Sequence, residues 1–559
     1  VSFSRAVRVA VVCCWLCSLA SPAVAAPSAF GGDAAATGPV GEPAILGAYP
    51  NPATADDAGE FVVVRTGGVA NLTLSDGEST APVPSAPGVV ALSSAPARAR
   101  ALAEGGAFPE TPARTDRPVA RAELRLANAG ERLVLRRDGV VVDEATYGTA
   151  PEAERWNATT GRWVPRGLTL RPAVSAGPAN ATVFVLPDDP SVVRETLRSA
   201  DERVLLAGYT FASSAVAETL LDAHRRGVRV RVLLEGSPVG GVSTRQAAVL
   251  ARLTRGGVPV RVVSGPLARF DYHHAKYAVV DDAALVLTEN WKPTGTGGRW
   301  NRGWGVRVAD ARAAAELAEV FSRDFGGEDA VPWRRFRRGR EFTDASAGGG
   351  PERGDFPRRI AAESVEVREV RVLTAPGNAG AAIVDRIDGA ERSVDVLVPR
   401  IDPHDRFFEA LVRAARRGVR VRILLSNAWY DEAENRVIVN RTRALRERGY
   451  DIEARIARPR GRFGKVHAKG AVVDGERAFV GSLNWNDHSA TENREVVLEL
   501  VGEEPAAYYA AAFEADWRAA AGSGERGSST KTTVTLALGA CCSLALATWV
   551  LRRTVRFDA

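Results

Sequence analysis

The sequence predicts an α/β fold: two homologous α/β halves, preceded by a small β-sandwich of immunoglobulin-like size. Three observations predict it. The segment Arg225-Arg-Gly-Val-Arg-Val-Arg-Val-Leu-Leu234 recurs as Arg416-Arg-Gly-Val-Arg-Val-Arg-Ile-Leu-Leu425, with a single change. The pattern His-x-Lys-x4-Asp occurs at His274, Lys276 and Asp281 and again at His467, Lys469 and Asp474, with Asn290-Trp291 and Asn484-Trp485 behind the two copies. Residues 44–150 read instead as short strands and turns. A repeat of about 190 residues is far too long for a solenoid, so it marks two halves of one enzyme-sized unit.

At 559 residues the chain has room for three or four domains. Residues 1–26 read as a secretion signal: Arg5 and Arg8, an apolar core from Val9 to Ala20, and the small residues Ala23-Val-Ala-Ala26. Within 44–150 the expected strands are Glu60–Val64, Leu72–Leu74, Glu123–Ala127 and Glu131–Leu135. Arg137-Asp-Gly-Val-Val-Val-Asp143 adds a hairpin through its Asp-Gly turn. The first half spans 170–328 and the second 366–520. In each, a helix-like run (Ala215–Arg226, Asp405–Arg417) stops at Gly227 or Gly418 and a buried strand follows. Residues 329–365 form a basic, Gly-rich linker. Its Trp333-Arg-Arg-Phe-Arg-Arg-Gly-Arg340 alternates charge and rings, as phosphate tracking with base stacking would require and as an anionic membrane surface would also suit. A second basic loop, Arg458-Pro-Arg-Gly-Arg-Phe463, runs straight into the second motif. Residues 521–531 form a flexible tether, and 532–551 an uncharged, mostly apolar stretch followed by Arg552-Arg553, which reads as one membrane span with the catalytic part outside the cell. The five cysteines (13, 14, 17, 541, 542) all fall in the signal or the span. The exported part therefore has neither disulfides nor a cysteine metal site, and no histidine spacing there suggests a metal or other cofactor.

The motif carries chemistry by its residue types. Side chains two apart on an extended strand share a face, so each His and Lys point the same way. An ammonium supplies charge and three donors to a phosphoryl group, and an imidazole can attack phosphorus or pass a proton. An Asn behind it can donate to a non-bridging oxygen. Two half-sites facing each other give one nucleophile and one general acid, neither needing a metal. Lysine usage agrees: the chain has only five (276, 292, 465, 469, 531) among 73 Lys and Arg, and two of them lie in the motifs.

The doubled motif resembles that of the phospholipase D superfamily. The resemblance implies phospholipase D-like halves about a pseudo-twofold axis, one active site at their junction, and phosphodiester transfer through a phosphohistidine. It implies that His274 and His467 are nucleophile and general acid, with His274 preferred as nucleophile. Lys276, Lys469, Asn290 and Asn484 would hold phosphate oxygens and Ser482 would add a hydrogen bond, while Asp281 and Asp474 would brace turns. In Asn493-Arg-Glu495, Glu495 would be a carboxylate that orients a His. The first half departs from the pattern. Its corresponding Asn301-Arg302-Gly303 lacks that carboxylate, its Asp–Asn spacing is one residue shorter, and Glu289 adds negative charge near an anionic substrate. Glu60-Phe-Val-Val-Val64, Leu74-Ser-Asp-Gly77, Leu126–Leu135 and Val142–Gly148 look like a lamin-tail domain, which implies a binding or positioning role on nucleic acid or a surface.

Three readings follow. An exported, membrane-anchored, endonuclease-like phosphodiesterase ranks first, on the basic loops and the lamin-tail-like module. A phospholipase or phosphatidyltransferase ranks second, since no long apolar loop beside the motifs argues for interfacial insertion. A non-catalytic binding protein on the same scaffold ranks third. With both half-sites in one chain, a monomer suffices. The net charge of +6 favours an anionic partner without naming it.

Overall fold

The computed structural model describes residues 41–521, apart from 53, 104–118, 153, 166–172, 266–267, 328 and 345–353. The expected signal, the membrane span, the tether beyond Ala521 and most of the Gly-rich part of the linker lie outside the described residues. Among the described residues no helix is long and apolar enough to cross a membrane.

The N-terminal part is a β-sandwich. A six-stranded sheet centred on Ala44–Tyr49 and Phe61–Arg65 faces a four-stranded sheet of Thr80–Pro82, Leu72–Ser75, Glu131–Arg137 and Val140–Tyr147. Alternate apolar residues of both sheets, among them Val62, Val64, Leu72, Leu74, Leu133 and Leu135, make one core. The expected hairpin turns at Asp138-Gly139, both with positive φ, the geometry an Asp-Gly pair favours. The expected strand Glu123–Ala127 is not one. Its backbone N–H groups bond to side-chain carboxylates instead of a ladder: Arg125 to Asp76 (3.0 Å), Leu126 to Glu60 (3.1 Å) and Ala127 to Glu131 (2.9 Å). The alternation that suggested a strand is real, because Leu124 and Leu126 are buried; what is missing is a strand partner.

The two halves have the same sheet order. In the first it runs Ala179–Leu186, Asn301–Ala309, Ala283–Leu287, Tyr277–Val280, Arg203–Gly208, Arg229–Glu235, Val260–Val263; in the second, Glu369–Ala375, Glu495–Val501, Arg477–Gly481, Gly470–Val473, Ser393–Val398, Arg420–Leu425, Ile452–Ile456. The last three strands of each series are parallel and are joined through helices. The repeated ten-residue segment behaves as its sequence demands. Helices Ser214–Arg225 and Arg406–Arg416 end just before Gly227 (φ 97°) and Gly418 (φ 92°), and buried parallel strands follow. The halves also exchange edges: Val174–Ala176 pairs with the second half's Glu369–Ala375, and Glu363–Val367 with the first half's Ala179–Leu186.

Outer helices cover one face of each sheet. The inner faces, with the helices Ala311–Gly326 and Glu503–Ala520 between them, share a core that includes Val183, Tyr277, Trp304, Phe321, Val480, Tyr509 and Trp517. The aromatic-basic stretch of the linker belongs to the first half. Trp333 and Phe336 are buried in its outer core and stack on each other, with Phe342 against Trp333. Those rings therefore do not stack on bases, as the sequence had allowed.

Two buried arginines cross between the halves. Arg302 pairs with Asp516 on the second half's last helix (Nε to Oδ2 2.8 Å), and Arg494 with Asp324 on the first half's last helix (2.9 Å). Removing one partner of a buried pair leaves an uncompensated charge. Asp324→Ala is expected to lower unfolding stability by about 3–5 kcal/mol, read from urea denaturation, and adding Arg494→Met to it should recover much of the loss.

Candidate active site

The pseudo-twofold arrangement sets the two motifs against each other. The strand Lys465–Val466 pairs in parallel with Asn301–Ala309, and His273 bridges to Arg494 in the same sense. The His274 N–H donates to the Arg494 carbonyl (2.9 Å) and the His467 N–H to the Arg302 carbonyl (3.0 Å). Each catalytic candidate is thus held by backbone of the opposite half.

The carboxylates cross in the same way. His274 Nδ1 lies 2.8 and 3.0 Å from the two Glu495 oxygens, so the carboxylate of the second half orients the histidine of the first. The first half is not missing its counterpart. Glu289 Oε1 lies 3.1 Å from His467 Nδ1, and Glu289 Oε2 accepts from the Asn301 amide at 2.8 Å. Gly303 is what lets Glu289 in: a Cβ there would stand 2.3 Å from Glu289 Cγ. The carboxylate has moved from the strand position that Glu495 marks to the end of the neighbouring strand. Glu289, expected to repel an anionic substrate unless it pointed away or paired with an arginine, partners His467 instead.

The remaining site residues sort by position. Lys276 Nζ donates to the His274 carbonyl (2.5 Å) and Lys469 Nζ to the His467 carbonyl (2.6 Å); Lys469 Nζ is also 3.2 Å from both ring nitrogens of His467. Asn290 and Asn484 each follow their strand, Ala283–Leu287 or Arg477–Gly481, by three residues. The one-residue difference in Asp–Asn spacing falls in the turns after Asp281 and Asp474, so it leaves the two asparagines equivalent. The Asn290 Oδ1 atom has no hydrogen-bond partner among the described residues.

Three expected site residues lie elsewhere or are otherwise engaged. Asp281 and Asp474 sit at the far ends of Tyr277–Val280 and Gly470–Val473, with φ 50° and 55°. Asp281 accepts from the backbone N–H groups of Asp201, Glu202 and Arg203; Asp474 accepts from those of Glu391, Arg392 and Ser393. Both tie a turn to the neighbouring strand and are no part of the site. Burial alone would raise the Asp281 carboxyl, but its three backbone donors hold it below its ordinary value. The Ser482 hydroxyl accepts from the Val496 N–H (3.0 Å) and donates to the Val496 carbonyl (3.3 Å), and the Thr288 hydroxyl accepts from the Trp304 N–H (2.9 Å), so both fasten neighbouring strands. Tyr209 was not foreseen. Its ring stands edge-on to His274 at 4.8 Å, with Lys276 Nζ 5.4 Å away. The sequence signal was its place directly after Arg203–Gly208, at the C-terminal edge of the parallel strands.

The electrostatics follow from burial among like charges. Burial pushes the His274 imidazole down to about 4, against the pull of Glu495 and with the help of Lys276. Burial, then Lys469 and Lys465, holds His467 well below its ordinary value. Burial brings Lys469 down to about 8 and Lys276 well below the usual lysine range. Burial raises Glu289 to about 7, against Lys469 and the Asn301 amide. Both imidazoles are thus neutral near pH 7, and the Glu289 carboxyl is poised to exchange a proton there. Among the described residues no cluster of His, Cys, Asp and Glu has metal-holding geometry.

With this geometry in hand, the comparisons define a class. The family described as "Cardiolipin synthase, PLD-like domain" matches twice, over residues 193–325 and 383–517, one match around each motif. The chain thus carries two phospholipase D-like domains, and it is homologous to phosphodiesterase-type enzymes. Cardiolipin synthase B of Salmonella typhi is 25% identical over 325 residues, 55% of this chain and 72% of that protein, and cardiolipin synthase B of Salmonella typhimurium gives the same figures. The solved structure of phosphatidylserine synthase from Haemophilus influenzae Rd KW20 covers 60% of this chain and 86% of its own, at 13% identity and TM-score 0.45. Nuc, a phospholipase D family member from Salmonella typhimurium, covers 27% and 96%, at 20% identity and TM-score 0.24.

The relocated carboxylate can be moved back. Glu289 corresponds to Leu483 and Gly303 to Glu495 in the other half. Glu289→Leu alone should lower turnover by about 100-fold or more, the scale of a lost acid–base partner. Adding Gly303→Glu should recover part of it, because the carboxylate then reaches His467 from the other strand. Steady-state kinetics of the two variants, with circular dichroism as a folding control, checks this.

Proposed function

We propose that the protein is a metal-independent phosphodiesterase of the phospholipase D type, acting on phospholipid in two steps through a phosphohistidine. The observation that carries the mechanism is the unequal pair of histidine–carboxylate contacts across the interface. His274, neutral and fixed through Nδ1 by Glu495, presents Nε2 as the nucleophile. His467 is the general acid. Its partner Glu289 supplies the second proton that the pair must hold before Nε2–H can be given to the leaving oxygen. As that proton leaves, the Glu289 proton moves to Nδ1. In the second step Nε2 takes a proton from the incoming water or alcohol, that oxygen displaces His274 from phosphorus, and the Nδ1 proton returns to Glu289. A phosphodiester anion restores full charge to Lys276 and Lys469, and they hold its oxygens together with Asn290 and Asn484.

The family description and the names of the curated relatives support phospholipid over nucleic acid. The burial of Trp333 and Phe336 takes away one expected base-stacking surface and, equally, one expected membrane contact, so it favours neither substrate. The placement we propose, an exported protein tethered by residues 532–551, rests on the sequence alone. In that placement the sandwich, for which we retain the lamin-tail-like reading, serves as a positioning module.

Two measurements test the roles. With bis(p-nitrophenyl) phosphate, whose leaving group needs no acid, His467→Asn should release about one equivalent of nitrophenol in a burst and then stall, while His274→Asn gives no burst. The reverse pattern would exchange the roles, and loss of the wild-type reaction in EDTA would remove the metal-independent mechanism. On phospholipid, wild-type kcat/KM should fall as the pH rises through about 7, because the His467–Glu289 pair loses its second proton there. In Glu289→Gln that descending limb should vanish along with most of the activity.

A further inference from the structure

Large apolar side chains are seldom exposed among the described residues. Apart from Val140, Val141 and Val142 in the sandwich hairpin, they are Val239, Trp429, Tyr430 and Val437. Three of these four lie on two loops that correspond to each other. One loop follows Arg229–Glu235 and leads into the helix Thr244–Arg255; the other follows Arg420–Leu425 and leads into Glu432–Glu447. These are the strands of the repeated ten-residue segment. Val239 is 78% exposed at the first tip, and Trp429 and Tyr430 are 84% and 52% exposed at the second.

Both tips are tied to the catalytic groups. The Val239 N–H donates to the Tyr209 hydroxyl at 2.6 Å, and the Tyr209 ring is the one packed against His274. The Lys465 amine donates to the Tyr430 hydroxyl and lies 5.0 Å from its ring; Lys465 stands two residues before His467. The Asn427 amide donates to the carbonyl of Gly464, the residue just before Lys465, at 3.0 Å. One tip therefore flanks each histidine.

We propose that the two tips form a docking surface for a lipid bilayer, seating the mouth of the active site on the headgroups. The proposal rests on the phospholipid reading and adds where and how the lipid is met. Trp and Tyr suit the boundary between water and acyl chains, with an apolar body and a polar edge. Val239 has no π face, so a nucleic-acid strand stacked on Trp429 would leave the opposite tip unused, whereas a bilayer takes up both. Lys465 adds a cation at headgroup level. Of the nearby acids, Glu432 pairs with Arg436 and Glu434 with Arg400, and Asp431 is buried. The uncharged stretch 532–551 supplies a reason for a bilayer to be at hand.

The test uses the full chain reconstituted in phosphatidylglycerol–phosphatidylcholine vesicles, with Val239→Ser and Trp429→Ser. Turnover is measured on vesicle lipid and on a dihexanoyl phospholipid kept below its micelle concentration. The ratio of vesicle to monomer turnover should fall roughly tenfold or more in each variant, the scale of withdrawing one large apolar side chain from an apolar phase. Bromine-labelled lipid should quench wild-type tryptophan fluorescence more than that of Trp429→Ser. Equal quenching in the two proteins overturns the docking surface, whatever the turnover. If wild type turns over neither lipid form, the phospholipid reading fails and quenching alone decides docking. Quenching by a single-stranded oligonucleotide that Trp429→Ser abolishes, with none by lipid, overturns the proposal in favour of a nucleic-acid surface.

Discussion

Everything at the site depends on two buried arginines that reach across the pseudo-twofold axis. Arg302 lies against Asp516 and over Phe463, with its guanidinium 4.7 Å from the ring; Arg494 lies against Asp324 and over Phe270, at 4.3 Å. Each phenylalanine precedes the other half's motif histidine by four residues, and each aspartate sits on the other half's last helix. A buried ion pair adds little net stability, since desolvation offsets attraction. What these pairs supply is position. The carbonyls of the same two arginines accept from His274 and His467, and Glu495 follows Arg494 in the chain. A slip of one residue at this interface would flip the side chains of the pairing strands and part His274 from Glu495.

That constraint explains how the first half tolerates its glycine. The demand at the interface is a carboxylate oxygen at His467 Nδ1, whichever strand delivers it. With Gly303 leaving room, Glu289 enters from the adjacent strand end and Asn301 steadies it, much as Asn493 stands 3.4 Å from Glu495. The new route buries Glu289 among neighbours that only partly offset its desolvation, which raises its carboxyl toward neutrality. Two chemically equal histidines are thereby made unequal by their partners, and a two-step transfer needs that division of labour.

Much of this was legible in the sequence. The two halves, the helix stops at Gly227 and Gly418, and Asn290 and Asn484 follow from local pattern, which sequence encodes directly; the motif His and Lys, expected on a strand, instead lie just ahead of the strands Tyr277–Val280 and Gly470–Val473. The crossing contacts do not. Glu495 was read as a carboxylate for a His, but which His depends on the packing of two sheets far apart in sequence. Glu289 could not be paired without knowing that the absent Gly303 side chain leaves its volume empty. The repeated Asn-Arg at 301–302 and 493–494 was the available signal, since an arginine kept beside the site in both halves must find an acid. Trp333 and Phe336 misled because alternation of rings and charges looks the same on a solvated strand and on a helix whose rings are buried. The strand expected at 123–127 failed because alternation specifies faces, while a strand also needs a partner.

The division between what is fixed and what is free runs through the same geometry. The parallel strands of both halves end toward the junction. Residues at their ends, Tyr209 among them, must therefore meet the clamped histidines, and the loops beyond them must ring the opening. The clamp uses Asp324, Asp516, Arg302, Arg494, Phe270 and Phe463, none of which lies on the two loops that carry Val239 and Trp429. The exposed side chains of Val239 and Trp429 can consequently change without moving a catalytic atom. Chemistry is set by the buried interface and substrate presentation by the rim, so two sites with the same histidines and lysines can serve different phosphodiesters. In this chain the rim carries Val239, Trp429 and Tyr430, side chains whose exposure to water is unfavourable unless something apolar covers them.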